Sequence, residues 1–178
     1  MIKIGFAAYS GDPTSRDVLN AKKLVENLHI NIDFGKAAFL LGGYWGLMRV
    51  LVDELIDRGG LVILFPPLEL EKLEYPKEVV IVKTGLSMRG RSIPLVRSSD
   101  VFIVVGGESG SILELVTSYT EGIPTYLLSG TGHSTDKMSL LAPHMDSRRV
   151  VEIRVFDDPV ELVEDLVSNH LDRIRKSI

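Results

Sequence analysis

A doubly wound α/β fold, with a mostly parallel, Rossmann-like sheet and helices on both faces, is what this 178-residue sequence predicts. Three observations predict it. Short β-rich runs alternate with amphipathic helical stretches along the chain. The runs lack polar alternation, which marks strands buried on both faces. Several of them end in glycine-bearing turns that lead into a helix, the junction through which such folds bind ligands.

The elements follow in order. Residues 2–9 read as the first strand, ending in the loop Ser10-Gly11-Asp12-Pro13, and Val18, Ala21, Leu24, Val25 and Leu28 then recur at helical spacing. Residues 36–41 form a second strand that stops at Gly42-Gly43. Leu47/Met48, Leu51/Val52 and Leu55/Ile56 give the next helix an apolar stripe, closed by Gly59-Gly60. Strands follow at 61–65, broken by Pro66-Pro67, and at 79–83, with a polar connection at 69–77 between them. A short helix covers 92–98, where Pro94 fits only the first turn.

The strand at 101–105 feeds a helix from about 110 to 121 that turns Ile112, Leu115, Val116 and Tyr119 inward. A sixth strand at 124–128 leads into a loop at 129–136 rich in Gly, Ser and Thr. Residues 137–149 mix helical and irregular signals, and a strand at 150–156 and a helix at 159–174 complete the order. No repeat or linker divides the chain, so residues 1–178 read as one Rossmann-like domain.

Composition narrows the function classes. Hydrophobic residues at 45% and charged residues at 25% are ordinary for a soluble protein, and a net charge of −4 gives no general attraction to nucleic acid or an anionic membrane. There are no cysteines, which excludes disulfides and thiolate metal sites. The histidines show no metal-ligand spacing, so no metal is expected. His170 falls on the apolar stripe of the last helix, while His133 lies in the Gly/Ser/Thr-rich loop, within reach of a ligand. The N-terminal run reads as a strand rather than a signal peptide, and no apolar stretch approaches the roughly 18 residues of a membrane span. A cytoplasmic protein without membrane contact is expected.

Three segments can carry chemistry. Gly42-Gly43-Tyr44-Trp45-Gly46-Leu47-Met48 joins a strand to a helix, and its glycines allow close backbone approach to an anion. A tight turn followed by a helix start accounts for the same glycines. Arg89 and Arg91 sit in a glycine-flanked loop, able to clamp a phosphate or carboxylate, or simply to face solvent. Gly106-Gly107-Glu108-Ser109-Gly110-Ser111 opens the helix that carries Glu114, placing backbone N–H groups and the positive helix end where a phosphate can bind. All three fall at the carboxyl edge of one sheet, where Ser10 also emerges. The chain has no P-loop, no G-x-G-x-x-G on its first helix, and no G-x-S-x-G nucleophile elbow, because Ser111 stands where the last glycine would be.

These segments resemble the "Lonely guy" phosphoribohydrolase family, long labelled lysine decarboxylase-like, and the wider group of Rossmann-like nucleotide binders around it. The family's G-G-G-x-x-G-L-M is mostly reproduced by residues 42–48. Its M-H-x-R-K aligns with Met88-Arg89-Gly90-Arg91-Ser92, and its P-G-G-x-G-T-x-x-E aligns without a gap with residues 106–114. The chain departs from the pattern at Arg89 for histidine, Ser92 for lysine, Gly106 for proline, Glu108 for glycine and Ser111 for threonine. Glu108 stands out, since a carboxylate in a phosphate turn repels the ligand unless it points away.

The resemblance implies a hydrolase that splits nucleoside 5′-monophosphates into free base and ribose 5-phosphate. Arg91 and Glu114 would be catalytic, and Ser10, Gly42, Gly43, Gly46, Met48, Gly107, Ser109, Gly110 and Ser111 would bind ligand and phosphate. It implies no cofactor and a small nucleotide or phosphate-bearing ligand as partner. It also implies a homodimer or higher homo-oligomer, with the helices at 47–56 and 113–119 as candidate interfaces. Divergent branches resemble molybdenum-cofactor carrier proteins, so a non-catalytic binder of a nucleotide or pterin phosphate is the alternative.

Overall fold

In the computed structural model, residues 1–176 are described, except for the side chain of Arg173; residues 177–178 lie outside the described part. Seven strands form one sheet: β1 (Ile2–Ala7), β2 (Ala37–Leu41), β3 (Leu61–Leu64), β4 (Val79–Ile81), β5 (Val101–Val104), β6 (Thr125–Leu128) and β7 (Ile153–Phe156). Their order is β4-β3-β2-β1-β5-β6-β7 and every pairing is parallel, with Ile4 opposite Phe39 on one side and Val101 on the other. The predicted fold class stands.

Five helices cover the sheet: α1 (Ser15–Asn31), α2 (Gly46–Asp57), α3 (Ser92–Arg97), α4 (Ser109–Thr120) and α5 (Pro159–Leu166). Alternate strand residues face opposite layers. Ile4, Phe6, Phe39, Leu41 and Ile103 join one core with Leu24, Leu28, Leu51, Leu55 and Leu162 from α1, α2 and α5. Leu40, Phe102, Val104 and Leu127 join the other with Leu95 of α3 and Leu115 and Tyr119 of α4. Strands β2, β5 and β6 are buried at every residue, which explains their unbroken apolar runs.

Two expectations are corrected. In α4, Leu115 and Tyr119 are fully buried, but Ile112 and Val116 are only half-buried. The inner stripe is instead Ser111, Glu114, Leu115 and Ser118, a set at helical spacing that an apolar template misses because three of its members are polar. The last helix is not continuous: α5 passes into a π-helical turn at Val167–Leu171 and a 3₁₀ turn at Asp172–Ile174. The segment folds back so that Asp33 N–H donates to the Ile174 carbonyl. The α2 stripe of Leu47, Leu51, Val52 and Leu55 has no exposed area and belongs to the core.

Because β1 leads outward to β2 while β5 enters on its other side and leads to β6, the connections diverge at the carboxyl ends of β1 and β5. A crevice must open there.

Candidate functional site

The loops that follow β1, β2, β4 and β5 meet at this crevice. The first two are locked by backbone contact: Leu47 N–H donates to the Tyr9 carbonyl at 2.9 Å. Gly46, at φ +55°, lets the chains pass so closely that a Cβ there would stand 2.5 Å from the Gly11 carbonyl oxygen. After β5, Gly106 (φ +119°) and Gly107 (φ +147°) make a turn that L side chains rarely adopt. A Cβ on Gly107 would sit 2.2 Å from Ser111 Oγ, so the glycine makes room for that hydroxyl. Glu108 is the N-cap of α4 but makes no side-chain capping bond, which leaves the first-turn N–H groups without a cap from that residue.

Arg91, at the start of α3, and Glu114, in the second turn of α4, meet across the helix–helix contact. Arg91 Nη1 donates to Glu114 Oε1 at 2.6 Å, and Ser92 Oγ donates to the same oxygen at 2.9 Å. Arg91 is 7% exposed and Glu114 4%. Burial pushes the Glu114 carboxyl above its ordinary value, against the opposing pull of Arg91 and Ser92. Arg91 Nε is buried with no partner. Gly42 is the reason the guanidinium fits: a Cβ there would stand 2.0 Å from Arg91 Nη1.

Around this pair lies a cleft of about 550 Å³. Arg91, Glu114, Ser10, Met48, Ser109, Gly110 and Ser111 line it, as seven of the residues singled out from the sequence. Gly42, Gly43, Gly46 and Gly107 do not line it. They stand one layer behind, under Arg91, under the Trp45 ring, against residues 10–11 and under Ser111 respectively. The cleft is therefore shaped by glycines and surfaced by side chains. Trp45, Met48, Met88 and Leu113 supply apolar surface suited to a flat heterocycle, and Arg89 and Glu108 bring charge to the lining. Among the described residues, no group of three or more His, Asp or Glu could hold a metal ion.

Sequence reasoning missed two contributors. Ser92, noted only as a missing lysine, is a hydrogen-bond donor to the buried carboxylate. Asp17 was unremarked, although Thr14-x-x-Asp17 carries the spacing of a capping box, which the structure forms. Asp17 has no exposed side-chain area, and its Oδ1 lies 3.1 Å from His133 Nε2. His133 does not line the cleft; it packs behind Gly106, with its ring 4.6 Å from that of Tyr9.

A family model described as the SLOG cluster4 family matches residues 4–159. The chain belongs to the SLOG cluster4 family. This agrees with the resemblance read from residues 42–48, 88–92 and 106–114. Solved structures are similar to this SLOG cluster4 protein over nearly its full length. The structural-genomics target TM1055 is 30% identical, with a TM-score of 0.82 over 94% of this chain and 99% of that one. The molybdenum cofactor carrier protein of Chlamydomonas reinhardtii is 20% identical, with a TM-score of 0.74 over 94% of this chain and 96% of that one. DNA processing protein A of Streptococcus pneumoniae is 12% identical, with a TM-score of 0.67 over 94% of this chain and 61% of that one. The last two share the fold. No curated protein matches the sequence. Among the described residues, no helix is long and apolar enough to cross a membrane.

Proposed function

We propose that this SLOG cluster4 chain hydrolyses the N-glycosidic bond of a nucleoside 5′-monophosphate. The observation that carries the reading is the buried Arg91–Glu114 pair, which lines one cleft with the N-terminus of α4. The 5′-phosphate would rest on the backbone N–H groups of Ser109–Ser111 and on the Ser111 hydroxyl, at the positive helix end. The base would lie against Trp45, Met48 and Met88.

Both hydrogen bonds to Glu114 fall on Oε1. Oε2 is the atom left to accept from ribose hydroxyls and to face the anomeric carbon. As the C1′–N bond breaks, its electron pair leaves with the base, which takes up a proton, and a water oxygen bonds to C1′. Positive charge develops on the ribose ring, and a fixed carboxylate beside it lowers the barrier without reorganising. Arg91 holds that carboxylate in place and balances the phosphate charge. A small phosphate-bearing ligand, rather than a nucleic acid, suits a lining in which Glu108 stands beside the phosphate seat.

The test is release of free base from AMP, GMP, CMP and UMP. Glu114→Gln should lower turnover on at least one of them by about a hundredfold, the scale of one lost transition-state contact. Equal rates for the two proteins overturn the mechanism.

A second reading, a carrier or sensor that binds a nucleotide or pterin phosphate without cleaving it, is favoured by Ser92. Where the resembled family has a lysine, this chain has a neutral hydroxyl bound to Glu114. The molybdenum cofactor carrier of Chlamydomonas reinhardtii shares the fold. Ligand-dependent rise of the melting temperature with no base released from any nucleotide supports this reading.

A further inference from the structure

Glu108 is the residue most at odds with an anion seat, and the structure gives it neighbours that the proposed reaction does not use. Its side chain, 54% exposed, lines the cleft at the N-cap of α4. His133 Nδ1 lies 3.8 Å from Glu108 Oε1. Hydrogen bonds from Ser134 hold the Glu108 carboxyl below its ordinary value, with His133 and Lys137 adding to the pull. His133 is itself fixed on every side. Its Nε2 meets the buried Asp17 carboxylate at 3.1 Å, its ring packs at a tilt against Tyr9, and its Cδ2 is the atom nearest a Cβ built on Gly106. Asp17 in turn is held by Thr14 N–H and Thr14 Oγ, both at 2.8 Å. The Gly106–Gly107 turn is tied to the same loop by Thr135 N–H, which donates to the Gly107 carbonyl.

We infer that His133 is a positioning residue for the anion seat, anchored by Asp17 and Tyr9 so that it keeps the Glu108 carboxylate turned toward residues 133–134 and off the α4 N-terminus. This rests on the reading of that helix end as a phosphate seat. Its physical basis is that two negative groups at one helix end compete for the same N–H donors and repel each other, whereas Ser134 and an imidazole with a proton on both nitrogens, one facing Asp17 and one facing Glu108, give the carboxylate other partners. Glu108 thereby stays in the lining without occupying the seat.

The test is calorimetric titration of the folded full chain with inorganic phosphate and with AMP, for wild type, His133→Ala, Glu108→Gln and the double variant. His133→Ala should weaken both ligands by about tenfold, a modest charge-repulsion effect. Glu108→Gln should bind at least as tightly as wild type. In the double variant, affinity should return to the Glu108→Gln level, because the carboxylate that His133 restrains is gone. His133→Asn, whose amide occupies the Nδ1 position, should retain most of the affinity, which a merely space-filling role does not explain. A double variant as weak as His133→Ala overturns the inference, as does His133→Ala binding like wild type. Wild type that binds neither ligand overturns the phosphate seat along with it, and so separates the two failures.

Discussion

Glu114 and Gly42 show how much of the site is decided by single atoms. Burial raises the Glu114 carboxyl above the ordinary glutamate value, so it ionises less readily in the folded chain than in the unfolded one. That contribution to stability is fully present below the unfolded-state value and is lost as pH rises through the higher folded value. Glu114→Gln cannot ionise, so its melting temperature should fall less than that of wild type as pH climbs from the ordinary glutamate value of 4.5 toward neutrality. Parallel melting curves across that range refute the assignment. Gly42→Ala tests the layer behind the cleft: a Cβ 2.0 Å from Arg91 Nη1 must displace the guanidinium. It should cut base release at least tenfold and destabilise by about 1–3 kcal/mol, as overpacking does. Gly110→Ala is the contrast, because a Cβ there meets nothing within 4 Å and projects from a residue that lines the cleft. It should raise the melting point slightly through helix propensity while weakening AMP binding. A fall in both would show that Gly110 serves the fold.

Among the elements, the strands were legible because burial on both faces leaves an unmistakable apolar run; β5 and β6 appear within a residue of their expected ends. Helix α4 was harder. Its existence followed from the glycine turn, but its inner face did not, since Glu114 and Ser118 bury polar atoms against polar partners that come from elsewhere in the chain. The same holds for the site. Arg91 and Glu114 were visible only as two motifs in register, and nothing local showed that the glycines behind them leave space for Arg91, Trp45 and Ser111. His133 and Asp17 are 116 residues apart, and no local pattern links them. Helix α1 offers an element-scale test, because its capping box joins Thr14 to Asp17 in both directions. Thr14→Ala should lower stability by about 1 kcal/mol in urea unfolding. It should also weaken phosphate binding, because Asp17 loses its hydroxyl donor and keeps only the backbone N–H of residue 14. Unchanged binding would mean that Asp17 holds His133 without help.

For the whole molecule, the right-handed crossovers put α1, α2 and α5 on one face and only α3 and α4 on the other. The two faces are not glued alike. Helix α1 meets α2 and α5 through an apolar core, whereas α3, six residues long, meets α4 partly through the Arg91–Glu114–Ser92 cluster. Separating apolar surfaces exposes them to water without compensation, but separating a buried ion pair returns hydration to two charges. The seam that holds the Arg91–Glu114 pair is therefore expected to open more readily than the apolar seams of α1. Amide protons of residues 92–97 should exchange with solvent deuterium sooner than those of α1, and AMP, if it binds across the seam as proposed, should slow them. In that sense the cleft would be a joint as well as a container, which a ligand bound as proposed would close.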